Sequence, residues 1–221
     1  QAGYAMAVKG PQHDEAWLIF MDMVNKQLPT FEDKAEALYY FPLWRTWFGL
    51  HGLCKIVWND ITPADNKKHP PQIAAKIPEH VDNYFKFYEG MTGEKLDEEK
   101  MLAQSARVHT LQRLMSVMFG FGRREDDIPP FRAMGPVTKE EYLSRQERYD
   151  GQLRKFLGID PEALSIEERM AKLRAYREEQ YQKLMDVTYA RRGWNRDGIP
   201  TKARLKELGI DLPELMALAA D

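Results

Sequence analysis

The stretch DEEKMLAQSARVHTLQRLMSVMFGFG, residues 97–122, decides the fold class. Asp97 suits an N-cap, because its carboxylate can accept from the N–H groups that a helix start leaves unpaired. Glu98 and Glu99 then fall in the positive first turn. Leu102, Ala106, Leu111, Leu114 and Met118 recur along one side up to about Phe119, and Gly120 and Gly122 stop the run. A long segment with start and stop signals at its two ends is a helix.

The same signals recur outward in both directions. Upstream, Pro78 sits well as a first helical residue, with Val81, Tyr84, Phe85 and Tyr88 as an apolar face and Gly90 near the stop. Residues 31–58 are rich in Ala, Leu, Tyr, Phe and Trp, an aromatic density that implies burial on several sides. Pro42 interrupts that segment and predicts a break or kink there. Residues 13–27 carry Trp17, Leu18, Phe20, Met21 and Val24 at helical spacing before Pro29. Downstream, Thr138 with Glu141 opens a helix to about Leu157, and Ser165 with Glu168 opens another to Arg191. Both are strongly charged and read as surface helices with one docked stripe. Residues 193–200 form a turn, and Thr201 caps a short last helix. A strand is suggested only over 4–8. The expected fold is all-α, an irregular multi-helix domain over 1–221, with a Pro-rich loop at 60–77 and a sub-boundary near 120–137.

Composition narrows the function. Hydrophobic residues make up 43% of the 221 and charged residues 30%, an ordinary globular balance. The formal net charge of -2 leaves no electrostatic footprint for nucleic acid. No run of about 18 apolar residues exists, so no membrane span is expected. A single Cys excludes a disulfide framework and suits a cytoplasmic setting. Gln1-Ala2-Gly3-Tyr4 is neither a start methionine nor a signal peptide, and it reads as the middle of a longer polypeptide.

The chemistry is sparse. No nucleophile elbow, phosphate loop, dinucleotide fingerprint or zinc-binding His-Glu-x-x-His helix is present. His13, His51, His69, His80 and His109 are scattered. His51 stands three residues before Cys54, between Gly49 and Gly52, which would let backbone approach a bulky ligand. A lone Cys is either a buried apolar side chain or one ligand of a site completed elsewhere. Lys9, beside Gly10 and Pro11, can reach an anionic group such as a phosphate, or be a solvent lysine before a turn. The charged run from Arg123 to Pro129 is either a solvated loop or a pin between helices.

Four blocks, in order, resemble the C-terminal portion of the tungsten- or molybdenum-dependent aldehyde ferredoxin oxidoreductases. Ala5-Met6-Ala7-Val8-Lys9-Gly10 is similar to that family's His-Val-Lys-Gly segment. Gly49-Leu50-His51-Gly52-Leu53-Cys54-Lys55 is similar to its Asp-x-x-Gly-Leu-Cys-Lys segment. Arg113-Leu114, Gly120-Phe121-Gly122 and Arg123-Arg124-Glu125-Asp126-Asp127-Ile128-Pro129 resemble its Leu-x-Arg-Leu, Gly-Phe and Arg-x-Asp-Asp-x-Leu-Pro run. Gly193-Trp194, Gly198-Ile199-Pro200-Thr201 and Leu208-Gly209 resemble its terminal signature.

The resemblance implies a bis-pterin tungsten or molybdenum cofactor and a [4Fe–4S] cluster. Three cluster cysteines of that family lie in a middle domain and the fourth in the C-terminal domain, the position that Cys54 matches. By the same resemblance Lys9, Gly52 and Leu53 would lie against a pterin. The implied activity is oxidation of aldehydes to carboxylic acids, with electrons leaving through the cluster to a ferredoxin-like carrier. It requires the remaining domains of the enzyme and implies an oligomeric assembly. Two departures matter: Gly49 replaces the family's Asp, and Ala7 replaces its His. His51 and His13 are the candidate substitutes for the lost proton donor. These departures keep open a reductase of the benzoyl-CoA type and a cofactor-free helical scaffold.

Overall fold

The computed structural model describes residues 1–8, 10, 18–24, 26–53 and 78–221. In chain order the helices are α1 (Ala2–Ala5), α2 (Phe31–Leu50), α3 (Pro78–Thr92), α4 (Glu98–Met118), α5 (Lys139–Leu143), α6 (Gln146–Gln152), α7 (Ile166–Arg192), α8 (Lys202–Leu208) and α9 (Pro213–Met216). Pairing among the described residues is limited to two isolated bridges, Trp194 with Pro200 and Thr201 with Ala220, so the fold is all-α as the sequence implies. The chain divides into two compact units, Gln1–Ile128 with Asp186–Asp221, and Pro129–Met185. The expected loop at 60–77 and the end of the 31–58 segment lie outside the described residues.

The helix starts follow local chemistry. Asp97 accepts from the Lys100 N–H at 2.8 Å. Thr138 accepts from the Glu141 N–H, and Glu141 in turn accepts from the Val137 N–H. Ser165 and Glu168 form a reciprocal capping box, each backbone N–H donating to the other's side chain. Thr30 and Asp33 do the same for α2.

In the first unit α2 lies along α4. Leu43, Ala106 and Leu208 form a shared core, flanked by Tyr39, Leu102 and Ile210. Every residue from Tyr40 to Phe48 is buried, so this helix is enclosed on all sides at its centre. Trp44 and Trp47 stack at 5.3 Å and are met edge-on by Tyr84 and Phe85 of α3. Aromatic edge-to-face contacts of this kind add to the area they bury.

Three local expectations in the first unit are corrected. Pro42 lies inside an unbroken helix rather than at a break. The carbonyl it cannot pair, that of Leu38, accepts instead from Arg192 Nη2 at 3.0 Å. Residues 4–8 do not form a strand: α1 covers the start, and the Val8 carbonyl is taken by Ser116 Oγ at 3.2 Å. On α4, Leu114 and Ala106 are buried, but Leu111 and Met118 face solvent, and the buried side carries Ser105, His109, Thr110 and Arg113.

In the second unit the helix expected over 139–157 is broken. Ser144 turns its hydroxyl onto the Glu141 carbonyl, a local bond that competes with helix propagation. The segment resumes as α6 and closes as a single wide turn, Leu153–Leu157, ended by Gly158 at φ 64°. Tyr142, Tyr149, Leu153 and Leu173 make its core. Asp150 accepts from Tyr142 at 2.6 Å and from Arg169 at 3.3 Å within that core.

Candidate functional site

Two places gather the residues that the sequence singles out. The first is a buried junction built from α4, the 123–129 run, the end of α7 and the turn after it. Arg113 donates both terminal nitrogens to Asp127, Nη1 to Oδ1 at 2.9 Å and Nη2 to Oδ2 at 2.7 Å. Its Nε donates to the Gly198 carbonyl at 2.9 Å. Tyr189 Oη donates to Asp127 Oδ2 at 2.5 Å. Arg124 closes the outer side, its backbone N–H on the Asp197 carbonyl at 2.9 Å and its guanidinium on Asp186 at 2.7 Å.

Glycine is needed at the tightest point. Gly198 has φ +80°, and a Cβ there would lie 2.5 Å from Arg113 Nη2 and 3.1 Å from the Tyr189 ring. The indole of Trp194 completes the junction, with the Arg113 guanidinium 4.6 Å and the Arg192 guanidinium 5.0 Å from its centroid. His109 stacks on the same ring at 5.8 Å.

The electrostatics follow from burial. Burial pushes the Tyr189 phenol well above its ordinary pKa, and the Asp127 carboxylate adds to this. Burial holds His109 well below the usual imidazole range, with Arg192 and Arg113 disfavouring a further positive charge. Its Nε2 has no hydrogen-bond partner among the described residues. Asp127 is 3% exposed and engaged by three donor atoms, so its chemistry is that of a buried clamp rather than an accessible acid or base. Of the two readings of the 123–129 run, the pin is the one the structure adopts.

The second place is the C-terminal end of α2. The Leu53 N–H donates to the Phe48 carbonyl at 2.9 Å and the Gly52 N–H to the Gly49 carbonyl at 3.5 Å. This is a Schellman closure, and it requires the left-handed residue that Gly52 supplies at φ +67°. A Cβ on Gly52 would meet nothing within 4 Å, so backbone conformation, not crowding, accounts for the glycine here. His51 Nδ1 lies 2.9 Å from the Trp47 carbonyl. A carbonyl only accepts, so the proton is on Nδ1 and Nε2 carries the lone pair in the neutral ring. The imidazole is held by Trp47 at 4.3 Å and by the edge of Tyr88 at 5.3 Å.

His51, Gly52 and Leu53 are thus brought to one exposed helix end, while Lys9, His13 and Cys54 lie outside the described residues. Among the described residues no group of three His, Cys, Asp or Glu could hold a metal ion, and no helix is long and apolar enough to cross a membrane. One Cys can supply one thiolate, as one corner of an iron–sulfur cubane would require, and the other ligands of such a cluster would come from outside the chain. Sequence reasoning passed over Arg45 and Arg192, both buried; the only cue for Arg45 was a cation amid aromatics, and it lies 5.4 Å from the centroids of Phe41 and Phe48.

A family model described as aldehyde ferredoxin oxidoreductase, domains 2 and 3, matches residues 1–210. No curated protein matches the chain significantly. Three of the four blocks that carry the resemblance contribute to the geometry above: the Arg113 to Pro129 run and the terminal signature meet in the junction, and Gly49 to Leu53 close α2. The chain belongs to the aldehyde ferredoxin oxidoreductase family.

Proposed function

We propose that this chain is the helical part of a cytoplasmic bis-pterin tungsten or molybdenum oxidoreductase acting on aldehydes. The observation that carries the reading is the family match over residues 1–210. When bound, the metal–pterin group supplies the two-electron oxidation of an aldehyde and water to a carboxylic acid, and a [4Fe–4S] cluster passes the electrons singly to a ferredoxin-like carrier.

The residues of this chain divide the remaining work. Cys54 is the thiolate ligand to one iron, with three ligands from outside the chain. Lys9 holds an anionic group of the pterin, and Gly52 and Leu53 lie against it. The Schellman turn at Gly52 supports this assignment, because it fixes the direction in which the backbone leaves α2 one residue before Cys54 begins. His51 is the candidate for moving a proton: its ring is oriented by Trp47 and Tyr88, and its Nε2 lone pair is left to accept. His13 is the alternative donor.

A second reading, a ring reductase of the benzoyl-CoA type, is favoured by Ala7 and Gly49, which remove the imidazole and carboxylate that the aldehyde-oxidising relatives carry. A cofactor-free scaffold is the third.

The deciding experiment is elemental analysis of the native assembly, purified without oxygen. Tungsten or molybdenum together with iron is the expected result. Neither metal in a correctly folded assembly would leave the scaffold standing. Turnover of aldehydes against aromatic thioesters then separates the two enzymes.

A further inference from the structure

Trp44 and Trp47 are 0% and 2% exposed, yet the Nε1–H of neither has a hydrogen-bond partner among the described residues. A buried indole usually places its N–H on an acceptor. A buried donor left unpaired calls for an explanation, and a redox role is one. The two rings lie parallel, 6° apart in plane and 5.3 Å between centroids. Tyr84 meets Trp44 at 5.7 Å and Trp47 at 6.3 Å, and Tyr88 meets Trp47 at 6.4 Å. The imidazole of His51, 4.3 Å from Trp47, carries the cluster to the exposed end of α2.

Indole and phenol are the side-chain rings that give up an electron most readily. An indole that has lost one is a radical cation and a strong acid at its N–H. With an acceptor on Nε1 it would shed that proton and keep the hole. Trp44 and Trp47 have no such acceptor, and burial denies the cation its hydration, so a hole on either ring is passed on. Tyr84 and Tyr88 are half-buried, and a phenol that loses an electron there can release its proton to water. They are where the hole comes to rest.

Trp194 is the contrasting case. It is 5% exposed and its Nε1 is likewise unpaired among the described residues. The guanidiniums of Arg113 and Arg192, however, stand 4.6 and 5.0 Å from its centroid, and each opposes a positive charge on the ring. Among the described residues no guanidinium stands over Trp44 or Trp47; Arg45, the buried cation of α2, lies over Phe41 and Phe48.

We propose that Trp44, Trp47, Tyr84 and Tyr88 form a one-electron donor cluster that discharges dioxygen-derived oxidants reaching the exposed end of α2. The inference goes beyond the reading under Proposed function and does not depend on it, since only the rings of this chain take part. The oxidant gains one electron from Trp47. Trp44 shares the hole across the stack, and Tyr84 or Tyr88 fills it, its O–H bond breaking as the proton passes to water. A thiol in solution then gives a hydrogen atom to the phenoxyl radical and leaves as a thiyl radical.

The experiment exposes the native assembly containing this chain to photogenerated tris(bipyridine)ruthenium(III), a one-electron oxidant too large to enter the core. Lesions are mapped by tandem mass spectrometry as the dose rises. They are expected at Tyr84 and Tyr88 first and then at Trp47 and Trp44, with Trp194 lower than those two by at least about tenfold. A thiol present during the exposure should suppress the tyrosine lesions. In the variant Tyr84→Phe/Tyr88→Phe, which keeps both rings, the lesions at Trp47 and Trp44 should rise several-fold. Trp44 and Trp47 no more modified than Trp194 would overturn the proposal. So would lesions at the two indoles that precede those at Tyr84 and Tyr88, a comparison that the unaltered protein supplies by itself.

Discussion

Arg192 reaches across from the end of α7 to donate to the carbonyl of Leu38 at 3.0 Å, and Leu38 lies four residues before Pro42. In an unbroken helix that carbonyl would accept from the residue at position 42, which has no N–H. The guanidinium substitutes for the missing donor, and Arg191 adds a second grip nearby, 2.5 Å from Glu36 and over the Tyr39 ring. Two consecutive arginines therefore hold the helix that leads toward Cys54.

This substitution of one donor for another is testable as a double-mutant cycle. Arg192→Leu is expected to destabilise the chain by about 1.5–3 kcal/mol, the range for a hydrogen bond from a charged group. In a Pro42→Ala background the restored N–H can pair with Leu38, so the cost of Arg192→Leu should fall. Urea midpoints of the four proteins measure the coupling. Strict additivity would mean that Arg192 does not act through Leu38.

The junction makes a sharper claim about two glycines with nearly the same φ. Gly198 sits at +80° with Arg113 Nη2 where a Cβ would go; Gly120 sits at +85° with open space around that position. Alanine at Gly120 is expected to cost only the left-handed penalty, about 1–2 kcal/mol. Alanine at Gly198 must also displace Arg113 from Asp127. Disturbing a buried ion pair on one side typically costs about 3–5 kcal/mol. Thermal unfolding of the two variants should rank Gly198→Ala well below Gly120→Ala, and similar losses would remove the junction from its structural role.

How much of this was legible depends on how far each interaction reaches along the chain. Asp97, Thr138 and Ser165 announce their helices because a cap bonds to residues two or three positions away. Pro42 misleads because its compensating donor, Arg192, lies in another helix. The α4 spacing shows that a face exists but not which side a partner takes, so Leu111 and Met118 read as core when Arg113 and His109 are the buried ones. Asp127 looks like any residue of a charged loop until Arg113 and Tyr189 are brought to it by tertiary folding. Within the candidate site the glycine of Gly52 was legible as special, although its position in a Schellman turn is what the backbone itself uses.

His109 supplies a pH signature. Its folded-state pKa is depressed below the value of about 6.5 expected in the unfolded chain. Below that value the unfolded state binds a proton that the native state refuses. Stability is thus fully present above about pH 6.5 and falls as the solution is acidified through the window beneath it. His109→Phe keeps an aromatic ring against Trp194 and removes the proton site. The variant should lose part of the acid-side slope of stability between about pH 6.5 and 5. An unchanged slope would show that His109 binds its proton equally in the native and unfolded states.

Cys54 offers the test that reaches furthest into the proposed chemistry, because it reads a ligand rather than an activity. If Cys54 is the ligand proposed above, Cys54→Ala in the assembled enzyme removes one of four thiolates. A cubane that loses one ligand is expected to lose an iron or fail to assemble, so the low-temperature EPR spectrum should change to that of a three-iron cluster or vanish. The variant's helical circular dichroism should be unaltered, since the capping at Gly52 and Leu53 is made by backbone groups before residue 54. An undisturbed four-iron spectrum would reassign the thiol to ordinary packing. It would also leave Lys9 and the family match as the remaining support for a cofactor in contact with this chain.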